Sequence, residues 1–308
     1  MDRLLGCVEE LRASRDVKEL LRGMAGTAFN GRSLGEALEI LEEMASTCEL
    51  RILALAGAVV PAGLRGVVRE AIRRGLFNVV VSTGANVTHD LLMAFGGGHY
   101  RLRRIGLEDE TLRRSGFSRV YDVAVDVRGF QLLERWLREV LDSMEDGEYS
   151  TYSFLRRVGL KLNDEGCLLR QAAISGCDVV VPAFYDSIIG VQVWSLTQTR
   201  RLRVVESLDL DYMVGLQFDA KKRNAKTGIL IVGGGTPKNF ALQSALVADK
   251  PFDYAVQITV DPPHYGGLSG ATLEEAVSWS KLSEEAKHCT VYCDFTIALP
   301  LLLSALTR

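Results

Sequence analysis

No long hydrophobic run occurs in this sequence. The longest apolar stretch, Phe295 to Leu306, is 12 residues long and contains Pro300. A membrane-spanning helix needs roughly 20 apolar residues, so this stretch is expected as a buried strand or helix and no membrane partner is expected. Neither sign of charge is in excess: 36 basic side chains stand against 39 acidic ones, a net charge of −3. A nucleic-acid binder normally carries a basic excess or stripe, so none is expected here. The basic clusters at Arg101, Arg103 and Arg104, and from Lys221 to Arg223, read as solvated faces or helix ends. The cysteines at 7, 48, 167, 177, 289 and 293 form no CxxC pair and no dense framework, which predicts reduced, mostly buried thiols in a cytoplasmic protein. The four histidines lack HExxH or related spacing, so no metal site is expected. The opening residues MDRLLGCVEELRASRD carry mixed charge rather than a secretory pattern. They read as a short amphipathic helix, a helical extension over 1–15. The triplet Asn86-Val87-Thr88 would accept a glycan only in a secretory compartment and reads as accidental.

With 47% hydrophobic and 24% charged residues, the chain can bury a large core, which excludes intrinsic disorder. Apolar, β-branched runs recur along it: Arg51 to Val60, Asn78 to Ser82, Cys177 to Pro182, Thr227 to Val232, Asp253 to Val260, Thr290 to Asp294 and, more weakly, Leu202 to Val205. Helical patterns lie between them, at Gly63 to Arg74, Gln131 to Met144, Asp164 to Ser175, Leu208 to Lys222, Lys238 to Ala248 and Leu273 to Trp279. Strands apolar on both faces need helices on both sides. The alternation predicts an α/β fold, Rossmann-like and doubly wound, with a mostly parallel sheet and helices on both faces. Length alone would allow two domains, but no linker or repeat breaks the chain. A single domain over 1–308 is the reading, with the polar stretch Asp142 to Ser150 a surface loop.

Three strands run into small-residue turns: AGAVVPAG, STGAN and GGGTPKN. Ligands of open α/β sheets bind at the carboxyl ends of strands, where glycine lets a backbone approach a phosphate and a helix N-terminus stabilises the anion. None of the three is a GxGxxG or GxxxxGK[ST] motif. Gly233-Gly234-Gly235 alone would be only a tight strand-to-helix turn; three such turns together favour a nucleotide site.

The segment from Gly266 to Pro300, GGLSGATLEEAVSWSKL…VYCDFTIALP, carries an EAVSW-x-K motif and resembles the C-terminal half of the deoxyhypusine synthase family. LIVGGGTPKNFALQ resembles that family's triple-glycine turn, and VVVSTGANVTHDLL its nucleotide-binding turn. VVPAFYDSIIG and AGTAFNGRSLGEAL match further segments, so the resemblance runs from about Asp16 to the end. It implies a Rossmann-like NAD-binding fold and a homotetramer with sites at subunit interfaces. The implied reaction oxidises spermidine with NAD, passes the aminobutyl group to an enzyme lysine as an imine, and transfers it to an acceptor amine. That acceptor is a lysine of a translation initiation factor, or a small amine in relatives that make homospermidine.

By the same resemblance Lys281 is the imine-forming lysine, although a lone lysine beside a helix is by default a solvated charge. A lysine amine attacks only when neutral. Glu275 and Trp279 are four residues apart and share a helical face, where a carboxylate and an indole can cradle an alkylammonium. Lys281 cannot share that face and is expected just past the helix end, turned back into the pocket. Asn239 and Gly234 fall among the substrate-binding positions. For the dinucleotide the resemblance implies Gly57, Ala58, Val59, Val60, Pro61, Thr83, Gly84, Asp186, Asp261 and Asp294. Asp186 and Asp294 could equally be helix-cap or loop carboxylates.

Several positions depart from the family pattern. Val191 and Leu268 stand where deoxyhypusine synthases place acids for the spermidine nitrogens. His89 replaces a glutamate, and Asn239 a histidine. These changes resemble a prokaryotic deoxyhypusine synthase-like branch. His89 could act as an acid or base or simply make a structural hydrogen bond. Two functions follow: an NAD-dependent alkylamine transferase acting through a Lys281 imine, or an NAD-binding scaffold or sensor that has lost transfer.

Overall fold

The computed structural model describes residues 7–103 and 109–307. Where the sequence reads as one domain, the backbone divides into two compact units. The first comprises residues up to Ala56, Leu76–Val79 and Tyr212 onward; the second comprises Gly57–Gly75 and Val80–Asp211. Because the first unit is assembled from separated stretches, no linker composition marks the division. The Asp142 to Ser150 stretch, expected as a surface loop, lies within the second unit and contains the strand Gly147–Tyr149.

The first unit is built on parallel strands in the spatial order Leu282–Tyr292, Phe252–Thr259, Lys226–Val232, Cys48–Leu55. Consecutive residues such as Ile229 to Val232 are fully buried, so side chains on both faces of the strand are covered. Each such aliphatic side chain contributes about 1.5–3 kcal/mol relative to exposure. The helix Phe29–Thr47 packs across several of these strands, and the C-terminal helix Phe295–Leu306 packs against Phe29–Thr47 and the Phe252–Thr259 strand. The apolar C-terminal stretch is thus a helix, with Pro300 inside it. Among the described residues no helix is long and apolar enough to cross a membrane.

The strand Val79–Ser82, which belongs to the second unit from Val80 on, has Asp178–Val180 as a neighbour. An antiparallel sheet orders His99–Arg101, Val123–Asp126 and Phe117–Val120, and Gly147–Tyr149 pairs in parallel with Leu202–Val204. Two buried carboxylates from elsewhere in the unit cap its helices. Asp90, on the helix Gly84–Ala94, accepts from the Leu168 and Leu169 amides (2.9 and 2.8 Å), from Cys167 Sγ (2.9 Å) and from Arg65 Nε (2.6 Å). The helix Leu168–Ser175 has no side-chain cap from its own N-cap residue, so Asp90 satisfies amides that would otherwise be orphaned. Burial and this carboxylate push the Cys167 thiol far up. Asp209 serves the helix Thr151–Lys161 in the same way, accepting from the Thr151 and Tyr152 amides at 3.1 and 3.2 Å.

Several expected boundaries move, for local reasons. The first strand ends at Leu55 because Gly57 turns to a positive φ of 77°. The last strand begins at Leu282, well before Thr290, because its polar SEEAKH stretch lies at the sheet edge, where side chains stay exposed. The expected helix over 1–15 is not seen: residues 7–14 hold no helix, and residues 1–6 lie outside the described residues, as does Arg104. The first helix starts at Val17, after Asp16 accepts from the Lys18 and Glu19 amides. Asn86 and Thr88 of the glycan-acceptor triplet are both buried.

Burial pushes the fully buried Asp209 carboxyl up to about 6. Since the unfolded value is about 3.9, the folded chain holds this proton more tightly. The stability it contributes is complete below about pH 4 and lost as pH rises to about 6. Asp209→Asn, which stays neutral, should flatten that limb by about 3 kcal/mol, read from urea unfolding between pH 4 and 7. An unchanged slope in the variant contradicts this.

Candidate active site

The helix Leu273–Ser278 starts where Thr272 Oγ1 accepts from the Glu275 amide (3.1 Å) and stops at Trp279. Ser280 then takes a left-handed conformation, φ 54°, and the Lys281 amide reaches back to the Ala276 carbonyl (2.9 Å). This closure reverses the chain, so Lys281 lies beyond the helix end and leads into the strand Leu282–Tyr292. Its Nζ donates to Asn239 Oδ1 (3.2 Å) and sits 6.0 Å from the Trp279 ring centroid. Lys281, Trp279, Glu275, Asn239, Lys238 and Leu268 line a cavity of about 200 Å3. That is smaller than the about 300–1,000 Å3 of pockets for drug-sized ligands and suits a short aliphatic chain. Glu275 is the one carboxylate in this lining, against two lysines.

Gly234 closes one side of the arrangement. A Cβ there would lie 2.3 Å from Ser269 Cα, so only glycine admits the 268–271 segment so close to the turn. Beside it, Lys238 is 3% exposed and donates to Gln257 Oε1 (2.9 Å), the Leu268 carbonyl (3.1 Å) and the Ala271 carbonyl (2.5 Å). Burial lowers its pKa to about 8. Lys238 lies within the GGGTPKN turn, where no role for its side chain is legible, and Gln257 lies inside an otherwise ordinary strand pattern.

Asp261 and Asp294 also belong to the first unit but are not in the cavity lining. Asp294 is the N-cap of Phe295–Leu306, accepting from the Thr296 amide (2.7 Å) and hydroxyl (2.6 Å). The helix-cap alternative for this residue is therefore realised. Asp261 is half-buried, its amide bonded to Thr259 Oγ1.

In the second unit, the turn from Gly57 to Pro61 is clasped by Asn86. Its Nδ2 donates to the Gly57 carbonyl (2.9 Å), and its Oδ1 accepts from the Val60 amide (3.4 Å). Val59, Val60 and Pro61 are buried while Ala58 is half-buried, so their side chains serve the core. Thr83 caps the helix beginning at Gly84 by accepting from the Asn86 amide (3.3 Å). Asn86 is thus a positioning residue: it closes the STGAN turn marked in the sequence, although no role for its side chain could be read there. Asp186 is exposed, just before Ser187, the N-cap of the helix Ile188–Leu196 that carries Val191. His89 Nδ1 lies 2.9 Å from His99 Nε2. Burial holds the His89 pKa below the usual imidazole value, and burial together with His89 lowers His99 to about 4. Both rings are therefore neutral at pH 7.

Fold and cavity define a parallel α/β protein with a lysine amine set among an amide, an indole and a carboxylate. Residues 19–306 match the family model of deoxyhypusine synthase. The chain is 42% identical over 297 residues to "probable deoxyhypusine synthase 1" of Archaeoglobus fulgidus, covering 96% of each chain. It is 42% identical to the protein of the same description from Methanosarcina acetivorans, covering 94% of this chain and 90% of that one. Against "probable deoxyhypusine synthase 2" of Archaeoglobus fulgidus it is 39% identical, covering 92% and 95%. A solved structure described as a candidate deoxyhypusine synthase from Entamoeba histolytica shares the fold, with a TM-score of 0.61 at 17% identity over 94% of this chain and 92% of that one. The chain belongs to the deoxyhypusine synthase family, and these archaeal likenesses are consistent with a prokaryotic branch of it.

Gly234→Ala should push the 268–271 segment away from the turn. The expected cost is about 1–3 kcal/mol, the range for overpacking, measured by urea unfolding. A variant as stable as the unmutated chain contradicts the close approach.

Proposed function

We propose that this protein is an NAD-dependent alkylamine transferase that carries the alkyl group on Lys281 as an imine. The observation that carries the reading is Lys281 itself, turned out of the helix end into a small cavity with Asn239, Trp279 and Glu275 around it. When bound, NAD would supply the hydride chemistry that oxidises the donor amine and reduces the product. The candidate binding elements are the Gly57–Pro61 turn clasped by Asn86 and the capped helix start at Thr83 and Gly84. Their support is chemical: main-chain groups at a tight turn and a helix N-terminus suit a pyrophosphate. In the second unit Asp186 is the proposed ribose partner; in the first unit Asp261 and Asp294 are each proposed as cofactor-binding carboxylates, the last through whatever capacity its cap leaves.

The Lys281 amine attacks the oxidised donor carbon, a carbon–nitrogen bond forms, and the donor's departing amine leaves with the proton. An acceptor amine then adds at the same carbon and takes the place of Lys281, whose amine leaves with the acceptor's proton; the reduction that completes the product is the chemistry NAD would supply. Glu275 pairs with an ammonium of the bound amine, and Trp279 offers its ring face. With Nδ1 engaged by His99, the chemistry open to His89 is at Nε2. The acceptor is a small amine or a lysine of a translation initiation factor.

Leu268, in the cavity lining and 47% exposed, cannot pair with a further ammonium group, so a long polyamine would lose hydration there without compensation. A donor with one strongly hydrated end fits better than spermidine. Incubation with NAD and spermidine, putrescine, agmatine or homospermidine, then borohydride trapping and intact mass, tests this. A mass increment is expected with an amine other than spermidine, Lys281→Ala should abolish it while retaining calorimetric NAD binding in preference to NADP, and Leu268→Asp should improve spermidine use. Spermidine as the best donor of the unmutated protein overturns the selectivity reading. Absence of any increment with every amine, with NAD still bound, favours the scaffold alternative.

We also propose a homotetramer. Light scattering at micromolar concentration should give four times the chain mass, and a monomer contradicts it.

A further inference from the structure

We propose that Lys238 and Gln257 are positioning residues that hold the 268–271 wall of the Lys281 cavity. The functional side of this inference rests on the reading of Lys281 as the reacting amine. Gln257 is fully buried within the strand Phe252–Thr259, a polar amide among apolar neighbours. Its Nε2 donates to the Gly233 carbonyl (3.0 Å) and to the Ser269 carbonyl (2.9 Å), joining the glycine turn to the wall. Its Oε1 accepts from Lys238, whose other two donors go to the Leu268 and Ala271 carbonyls. Three acceptors around one nitrogen require three N–H groups, which only the ammonium form has.

Burying an ammonium and an amide is costly unless their bonds are made, and packing a parallel sheet requires neither. What these side chains bond is one short segment. The residues from Gly266 to Ala271 contain no helix or strand; their own backbone pairing is a single turn, in which the Gly270 and Ala271 amides donate to the Gly267 carbonyl (3.0 and 3.1 Å), and a turn alone does not tie the segment to the sheet. They carry Leu268 and lead straight into Thr272, Glu275 and Trp279. Wall placement therefore sets where the carboxylate and indole stand relative to Lys281. Adjacent residues of one helix serve the two sides of the cavity: Lys238 holds the wall and Asn239 receives the Lys281 amine.

The test uses butanal, which needs neither NAD nor an acceptor. The Lys281 amine and the aldehyde form an imine with loss of water, and borohydride reduces it to a secondary amine that peptide mass mapping locates. In the unmutated chain Lys281 should be labelled ahead of the other lysines. Lys238→Met and Gln257→Leu should each slow that labelling about tenfold, the effect of roughly one lost hydrogen bond to a charged group. Both variants should also speed hydrogen exchange at the Gly270 and Ala271 amides and leave the rest of the first unit protected. Unchanged labelling and exchange in both variants overturn the proposal. Exchange that quickens throughout the first unit also overturns it, since the two residues would then be general core elements. If Lys281 of the unmutated chain labels no faster than exposed lysines, the reading of Lys281 fails instead, and local exchange alone decides whether the wall is held.

Discussion

Parallel strands covered on both faces leave no room for chemistry along their length. In the first unit Ile52, Leu53, Leu230, Ile231, Val256 and Ile258 are all fully buried, and a charged group among them would be desolvated without a partner. Polar function is thereby driven to the strand ends. The triple glycine follows the Lys226–Val232 strand, and the segment that becomes the cavity wall follows Phe252–Thr259. Gln257 is an exception inside a strand: both its amide donors go to those two end segments, and its Oε1 accepts from Lys238.

Polar groups from distant parts of the sequence do the fine positioning in both units. Asp90 caps a helix far along the chain, Asn86 clasps the Gly57 turn, and Lys238 holds carbonyls 30 and 33 residues away. Each is buried and each satisfies main-chain groups that a loop would otherwise present to water. The result is a set of tight turns with defined backbone direction. Catalysis through a lysine depends on such definition, because imine formation requires the amine and its target to meet in a narrow geometry.

The balance of charge in the Lys281 cavity shapes the functional reading as much as its geometry. Two lysines and one glutamate line it, and Leu268 and Leu242 supply apolar surface. One ammonium can pair with Glu275; a second within the same space would face Lys238, whose own donors are committed to carbonyls. A small chain with one cationic end is the complement of that lining.

Much of the fold was legible in the sequence, because apolar runs of strand length alternating with amphipathic segments leave few alternatives to a parallel α/β sheet. The EAVSW-x-K motif likewise marked Glu275, Trp279 and Lys281, and helical spacing alone required Lys281 to leave their face. Tertiary structure decided the rest. Lys238 and Gln257 look unremarkable in their elements because their role is defined by carbonyls brought near only by folding. Asp294 turned out to cap a helix, and His89 to face His99, since hydrogen-bond partners at a distance leave no local spacing to read. The polar edge strand from Leu282 escaped notice because exposure on one side removes the apolar pattern by which buried strands are recognised. Division into two units is not marked in composition for a related reason: the chain passes from one to the other inside the strand Val79–Ser82 and inside the helix Ser207–Lys222, where nothing in the local pattern changes.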